Sequence, residues 1–445
     1  MSKYRQWLIG EIELWHRDKI IDAEQARQIA ARYSEDTEPT WGKIIFAAVG
    51  AIIFGLGIIL LFAYNWEAMH RLTKLAIILF AIILAHSLGY YFSSVNSSHK
   101  KIGESLHLLG TMLFGAGIWL VAQIYHIDEH FPNALLVWAL GALAMAWFLP
   151  SLAHTLLAIG LLCLWHWFEV FDFHASNQAG VWIIILGLVP LAWLQRARGT
   201  LFLSLAMLLF TYVSSYANMV NHDGSIVTVL FALTCSYIVF SHIAAATTFP
   251  QSTDAIRWAG VSVFATLLFI CTFSDIDKLH FKAPLNEISV LSWVYFLIPI
   301  TAAFTLVGVL FLRYRNSLNN NIDLLEVCIV ILAFLTSVIS VFKLFALHNV
   351  SWIIYSLLFL TYSMLLIYRG TQYLRWQSTA LGSLLLSAYT FARFMDLFES
   401  LLMRGLAFIV IGALLFVVGI YYSRQKKKQT GLHKHTWLQG TDNDR

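Results

Sequence analysis

Between residues 44 and 422 the chain is a succession of long apolar runs, about fourteen of them, each near the length a helix needs to cross the hydrocarbon of a bilayer. In hydrocarbon every backbone N–H and C=O must find a partner inside the protein, so only helices and closed barrels are open to such a chain. The runs are too long, and alternate too rarely, for barrel strands of roughly ten residues. With 59% of 445 residues hydrophobic, 12% charged and a mean hydropathy of +0.70, the chain falls outside the soluble globular classes. The expected fold is all-α, a polytopic transmembrane helical bundle in the lipid bilayer.

The pattern predicts spans at 44–64, 72–92, 103–124, 133–149, 151–171 and 179–195. A second set follows at 200–220, 225–246, 256–273, 288–312, 322–346, 349–368, 373–391 and 403–422. Four parts are expected: an N-terminal helical hairpin over 1–42, a first membrane bundle over 43–198, a second over 199–423, and a basic tail over 424–445. In the first part Trp7, Leu8, Ile12 and Trp15 fall near helical spacing. Asp22 with Gln25 three residues on reads as a capping box opening a second helix to about Tyr33. Pro39 then closes the module, which could cap the bundle or dock a protein partner. Without an apolar h-region, these residues are not read as a cleavable signal peptide.

Within the first bundle a parallel repeat relates spans 1–2 to spans 3–4. Gly50, Phe54, Gly55, Gly57, Ile58 and Leu60 recur as Gly110, Phe114, Gly115, Gly117, Ile118 and Leu120 in the segments 50–66 and 110–126. Residues at i, i+4 and i+7 share a helix face, so each copy presents small residues against which another backbone can pack closely. The first and third spans are therefore expected to meet through these faces.

An even span count puts both termini on one side. Arg424, Lys426, Lys427 and Lys428 directly follow the last span, while the loops near 125–132, 172–178 and 219–224 hold no Lys or Arg. By the positive-inside rule both ends are cytoplasmic. The formal charge of +4 is small and gathered in the tails, which argues against nucleic-acid binding. Cys163, Cys235, Cys271 and Cys328 lie in or at the ends of apolar runs with no Cys-x-x-Cys spacing, so neither a disulfide framework nor a zinc knuckle is expected.

Several segments resemble a known family. The Trp7 to Tyr33 hairpin, Ala63-Tyr64-Asn65-Trp66-Glu67-Ala68 and Ala122-Gln123-Ile124-Tyr125-His126 are similar to the predicted bacterial membrane proteins catalogued as domain of unknown function 2157, over roughly residues 5–200. Arg393-Phe394-Met395-Asp396-Leu397 with Arg404-Gly405 resembles the last hairpin of the same group. The resemblance implies a bacterial inner membrane. It implies no activity, cofactor or catalytic residue.

Ionisable side chains inside a membrane are costly and attract a functional reading. His86 and His107 fall on the facing ends of the second and third spans, where they could bind a metal or haem iron or relay a proton; each could equally bond a hydroxyl such as Ser87 or Ser105. On the outer side Glu67, His126, Asp128, His130, Glu169, Asp172 and His222 follow successive spans. Together they could line an acidic vestibule, with donor types that suit zinc or copper at His126, Asp128 and His130. They could also be ordinary amphipathic boundary residues. Arg393, Asp396 and Arg404 read as a salt-bridged outer turn. No Walker loop, Gly-x-Ser-x-Gly, Ser-x-x-Lys or His-Glu-x-x-His element occurs, so enzyme activity is not favoured, and no cofactor is specified. A transporter-like protein is the leading reading, on span number, repeat and Gly-rich helices. A membrane enzyme or metal protein with an outward His/Asp/Glu site, and a non-catalytic envelope assembly factor, are the alternatives.

Overall fold

The computed structural model describes residues 11–34, 69–95, 100–126, 130–175, 178–220, 225–273, 290–313, 321–342 and 351–397 and, apart from 411 and 419, residues 409–421. None of these residues is in a strand. The expected first span, with its half of the repeat, lies outside them, as does part of the last. The helices are α1 (Ala23–Ser34), α2 (Arg71–Tyr90), α3 (Lys100–Tyr125), α4 (Pro132–Phe148), α5 (Leu152–Trp167), α6 (Ala179–Leu194), α7 (Arg198–Met219), α8 (Ser225–Ala244), α9 (Ser252–Ile270), α10 (Val290–Arg313), α11 (Asn321–Val341), α12 (Ser351–Gln372) and α13 (Trp376–Leu397). Among the described residues nine helices are long and apolar enough to cross a membrane; α4 and α6 are shorter apolar helices. The protein is a polytopic helical membrane protein.

The chain divides into two compact units, Met1–Phe80 and Ala81–Arg445. In the first, the helical stretch 11–17 ends at Lys19, whose φ of 58° reverses the chain. Ile20 N–H then donates to the Trp15 carbonyl at 2.9 Å and Lys19 N–H to that of His16 at 3.1 Å, so the helix end is satisfied by a Schellman turn. The capping box closes α1 on its other side: Gln25 N–H donates to Asp22 Oδ1 at 2.7 Å and Asp22 N–H to Gln25 Oε1 at 3.1 Å.

In the second unit the main core forms around α8. Its buried residues run from Ser225 through Phe231, Cys235, Ile238 and Val239 to Ala244 and occupy every face, the mark of a helix enclosed by others. It packs against α9, α10 and α11, and Phe231, Phe264, Phe334, Tyr355, Phe359 and Tyr362 fill the space between these helices and α12. A second core joins α4, α5 and α6 through Ala139, Ala142, Leu162, Trp165, Ile184 and Leu188. Among the described residues three π-helical turns occur, Ile184–Leu188 in α6, Phe168–Asp172 at the end of α5 and Tyr91–Val95 at the end of α2. The first lies just before Pro190, which has no N–H to give the preceding turn, and the widened turn accommodates that missing bond. The second turns Glu169 inward, where it is 5% exposed. Outward-facing apolar side chains such as Phe80, Phe148, Leu186 and Leu312 are left exposed, the surface that lipid covers.

Candidate functional site

Among the described residues, the densest set of buried charges gathers at one end of the α8–α12 group. α11 carries Asp323 and Glu326 three residues apart on one face and has no basic residue of its own. Its partners come from other helices. Arg257 of α9 donates to Glu326 through Nη2 at 2.7 Å and Nε at 3.3 Å, a two-pronged pair. Arg369 of α12 donates through Nη1 to Glu326 Oε2 at 2.5 Å and stands 2.8 Å from Asp323 Oδ1. Tyr362, about two turns back along the same face of α12, donates its hydroxyl to Glu326 Oε1 at 3.4 Å. His242 of α8 completes the ring: its Nε2 lies 4.0 Å from Glu326 Oε2, beyond hydrogen-bond reach, and is buried without a partner.

Two guanidiniums thus face two carboxylates, with Glu326 fully buried and Arg257 2% exposed. At 1.5 Å per residue the charged groups stand about 3 to 8 Å inside the helix ends. Just beyond them Arg375 Nη1 meets Asp254 Oδ1 at 2.8 Å, half-exposed. Leu374, with φ of 52°, sets that arginine by letting Arg375 N–H donate to the Gly370 carbonyl at 2.9 Å. The arrangement binds three helices, α9, α11 and α12, through one carboxylate, and a change in charge at His242 would compete with Arg369 for the same oxygen.

A histidine set occupies the junction of α2, α3 and α5. His86 Nδ1 and His107 Nδ1 are 3.1 Å apart, with ring centroids separated by 5.4 Å. The contact is made by a reciprocal spacing: each histidine is followed three residues on by a glycine, and each ring lies over the other helix's glycine. A β-carbon at Gly110 would come within 2.6 Å of His86 Nε2, and one at Gly89 within 2.9 Å of His107 Cγ. One turn on, the Thr111 hydroxyl donates to the His107 carbonyl at 3.0 Å, which leaves its oxygen to accept from His154 Nε2 at 3.2 Å. The Trp138 indole donates to the Thr111 carbonyl at 2.9 Å. His107 Nε2 and His154 Nδ1 are buried without hydrogen-bond partners.

At the opposite end of the helices, His130 Nε2 meets Glu169 Oε1 at 2.8 Å, with the Phe173 ring edge-on to His130 at 4.1 Å. Asn218 fixes the loop beneath, donating to the Val170 carbonyl at 3.0 Å. Of the outer-face set, His130 and Glu169 are the two described residues joined by a hydrogen bond. His126 and Asp172 are exposed; Glu67, Asp128 and His222 lie outside the described residues. His126 follows α3 directly with a φ of 52°, a helix-stop position. Arg393 bonds the Thr272 carbonyl and stacks over Phe273, Trp352 and Tyr389 at 5.3, 5.8 and 5.5 Å. The Asp396 side chain and Arg404 are outside the described residues. So is the first span, and the glycine face of α3 meets His86 at Gly110 and the Trp138 indole at Gly115.

The charge cluster escapes a reading of the sequence because its members fall near the ends of four different runs, where ionisable residues pass for boundary residues. The signal present was α11 itself, with two carboxylates on one face and no cation on the same helix to neutralise them. Among the described residues no group of three or more His, Cys, Asp or Glu is placed to hold a metal ion.

Residues 13–155 match the family model described as Predicted membrane protein (DUF2157), inside the stretch whose motifs resemble that family. No curated protein and no solved structure matches the chain.

Proposed function

We propose that this chain is a transporter-like protein of a bacterial inner membrane, with both termini cytoplasmic, and that the Arg257–Glu326–Arg369–Asp323 cluster is its cytoplasmic-side gate. The observation that carries the reading is Glu326, fully buried and held by arginines from two other helices, with an unbonded histidine 4.0 Å away. Buried ion pairs contribute little net stability compared with apolar packing of the same volume, and intramembrane charges mark ion and substrate paths. A cluster that ties α9, α11 and α12 together through shared oxygens has a second arrangement within reach, in which protonated His242 takes Glu326 Oε2 from Arg369. Such two-state elements are what alternating access requires.

The test is flux in vesicles. Purified protein is reconstituted with a pH-sensitive dye inside and challenged with amino acids, sugars, organic cations, organic anions and short-chain phospholipids in turn, with and without an imposed pH gradient. One class should move with protons in the wild type, and His242→Gln and Arg257→Lys should abolish that movement while the protein remains folded. Absence of coupled flux for every class, or flux unchanged in both variants, overturns the reading. The His130–Glu169 pair favours a second reading, an outward-facing catalytic or metal site; metal and haem analysis of the purified protein tests it, and protein free of both counts against it.

A further inference from the structure

We propose that His86 and His107 form a one-proton relay between α2 and α3, a proton-binding site separate from the charge cluster and independent of whether the chain moves a solute. The geometry sets the stoichiometry. With the two Nδ1 atoms 3.1 Å apart, one must carry hydrogen and the other a lone pair. The neutral pair therefore holds one proton in the shared position, and each ring keeps its Nε2 for exchange. His107 Nε2 is buried with no acceptor, so it is best left bare, which assigns the shared hydrogen to His107 and the Nε2 hydrogen to His86. A proton arriving at His107 Nε2 makes that ring an imidazolium. Its Nδ1 hydrogen passes to His86 Nδ1, and His86 releases its own Nε2 hydrogen. One N–H bond forms and one breaks at each ring, and the net result is one proton taken up at His107 Nε2 and one released from His86 Nε2.

A second extra proton is excluded, since two Nδ1–H groups facing each other at this distance would repel and part the helices. The groups around the pair are consistent with a single charge. Among the described residues they are His154, whose Nε2 is turned to Thr111, and the exposed Glu104 on the first turns of α3. The glycines make the contact possible: without side chains at Gly89 and Gly110 each ring can sit against the neighbouring helix.

Solid-state NMR on protein labelled with nitrogen-15 histidine in lipid bilayers tests the site. One cross-peak should join His86 Nδ1 and His107 Nδ1 through a common hydrogen. On acidification the pair should take up one proton, and both Nδ1 shifts should then move to values between protonated and bare imidazole, because the hydrogen is shared. Gly110→Ala should abolish the cross-peak and Gly160→Ala, where nothing lies within 4 Å of the added carbon, should keep it. If Gly110→Ala does not fold, the wild-type spectrum decides alone. No cross-peak, uptake of two protons, one nitrogen fully protonated and the other bare at every pH, or replacement of the shared hydrogen by added zinc would each overturn the proposal.

Discussion

At the scale of the residue, the same side-chain type does different work according to backbone and neighbours. His126 invites reading as a ligand because an aspartate and another histidine follow it, yet it stands exposed in the left-handed conformation that ends a helix. A β-carbon in that conformation costs on the order of 1 kcal/mol, which glycine avoids. His126→Gly is therefore expected to raise thermal stability in detergent by about that much; a lowered melting point would show that the imidazole holds something there. Glu326 is the opposite case. Replacing it by Gln leaves Arg257 and Arg369 buried with one carboxylate between them, a loss expected to cost about 3 to 5 kcal/mol in denaturant unfolding. A change below about 1 kcal/mol would mean that water reaches the cluster.

At the scale of the element, periodicity locates helices well but leaves open what each face meets. The expected runs at 103–124 and 225–246 correspond to α3 and α8 within a few residues. The small-residue face of α3 was legible as a packing face, while its partners were not. A β-carbon at Gly115 would run into the Trp138 indole, whereas one at Gly160 would meet open space. Gly115→Leu should accordingly lower folded yield well below that of Gly160→Leu, measured as the monodisperse fraction after purification. Equal yields would show that α4 can shift away from α3. The π-helical turns of α5 and α6 lie beyond any pattern of apolar spacing, and one of them decides that Glu169 faces His130.

At the scale of the whole molecule, crossing direction follows from charge at the ends, and the proposed topology rests on that. A reporter fused after residue 130 should score as external and one fused after residue 198 as cytoplasmic; the reverse pair would put the charge cluster and the histidine relay on the outer side. If each described helix from α2 onward crosses in turn, the end of α2, the starts of α3 and α5, the end of α8 and the starts of α9 and α11 share one side. Alternation alone thus gathers His86, His107, His154, His242, Arg257 and Glu326 at the same membrane face.

The sequence by itself determined that the chain is helical and membrane-embedded, because runs of apolar residues this long leave the backbone no other way to satisfy its polar groups. It also determined the capping box of Asp22 and Gln25, an interaction between residues three positions apart. Only the tertiary structure decided which ionisable groups belong together. Arg257 and Glu326 are separated by the rest of α9, all of α10 and the first turn of α11, and a pairing across that distance depends on which helix packs beside which. That choice is made by the fit of side chains around α8, where no short-range pattern records it.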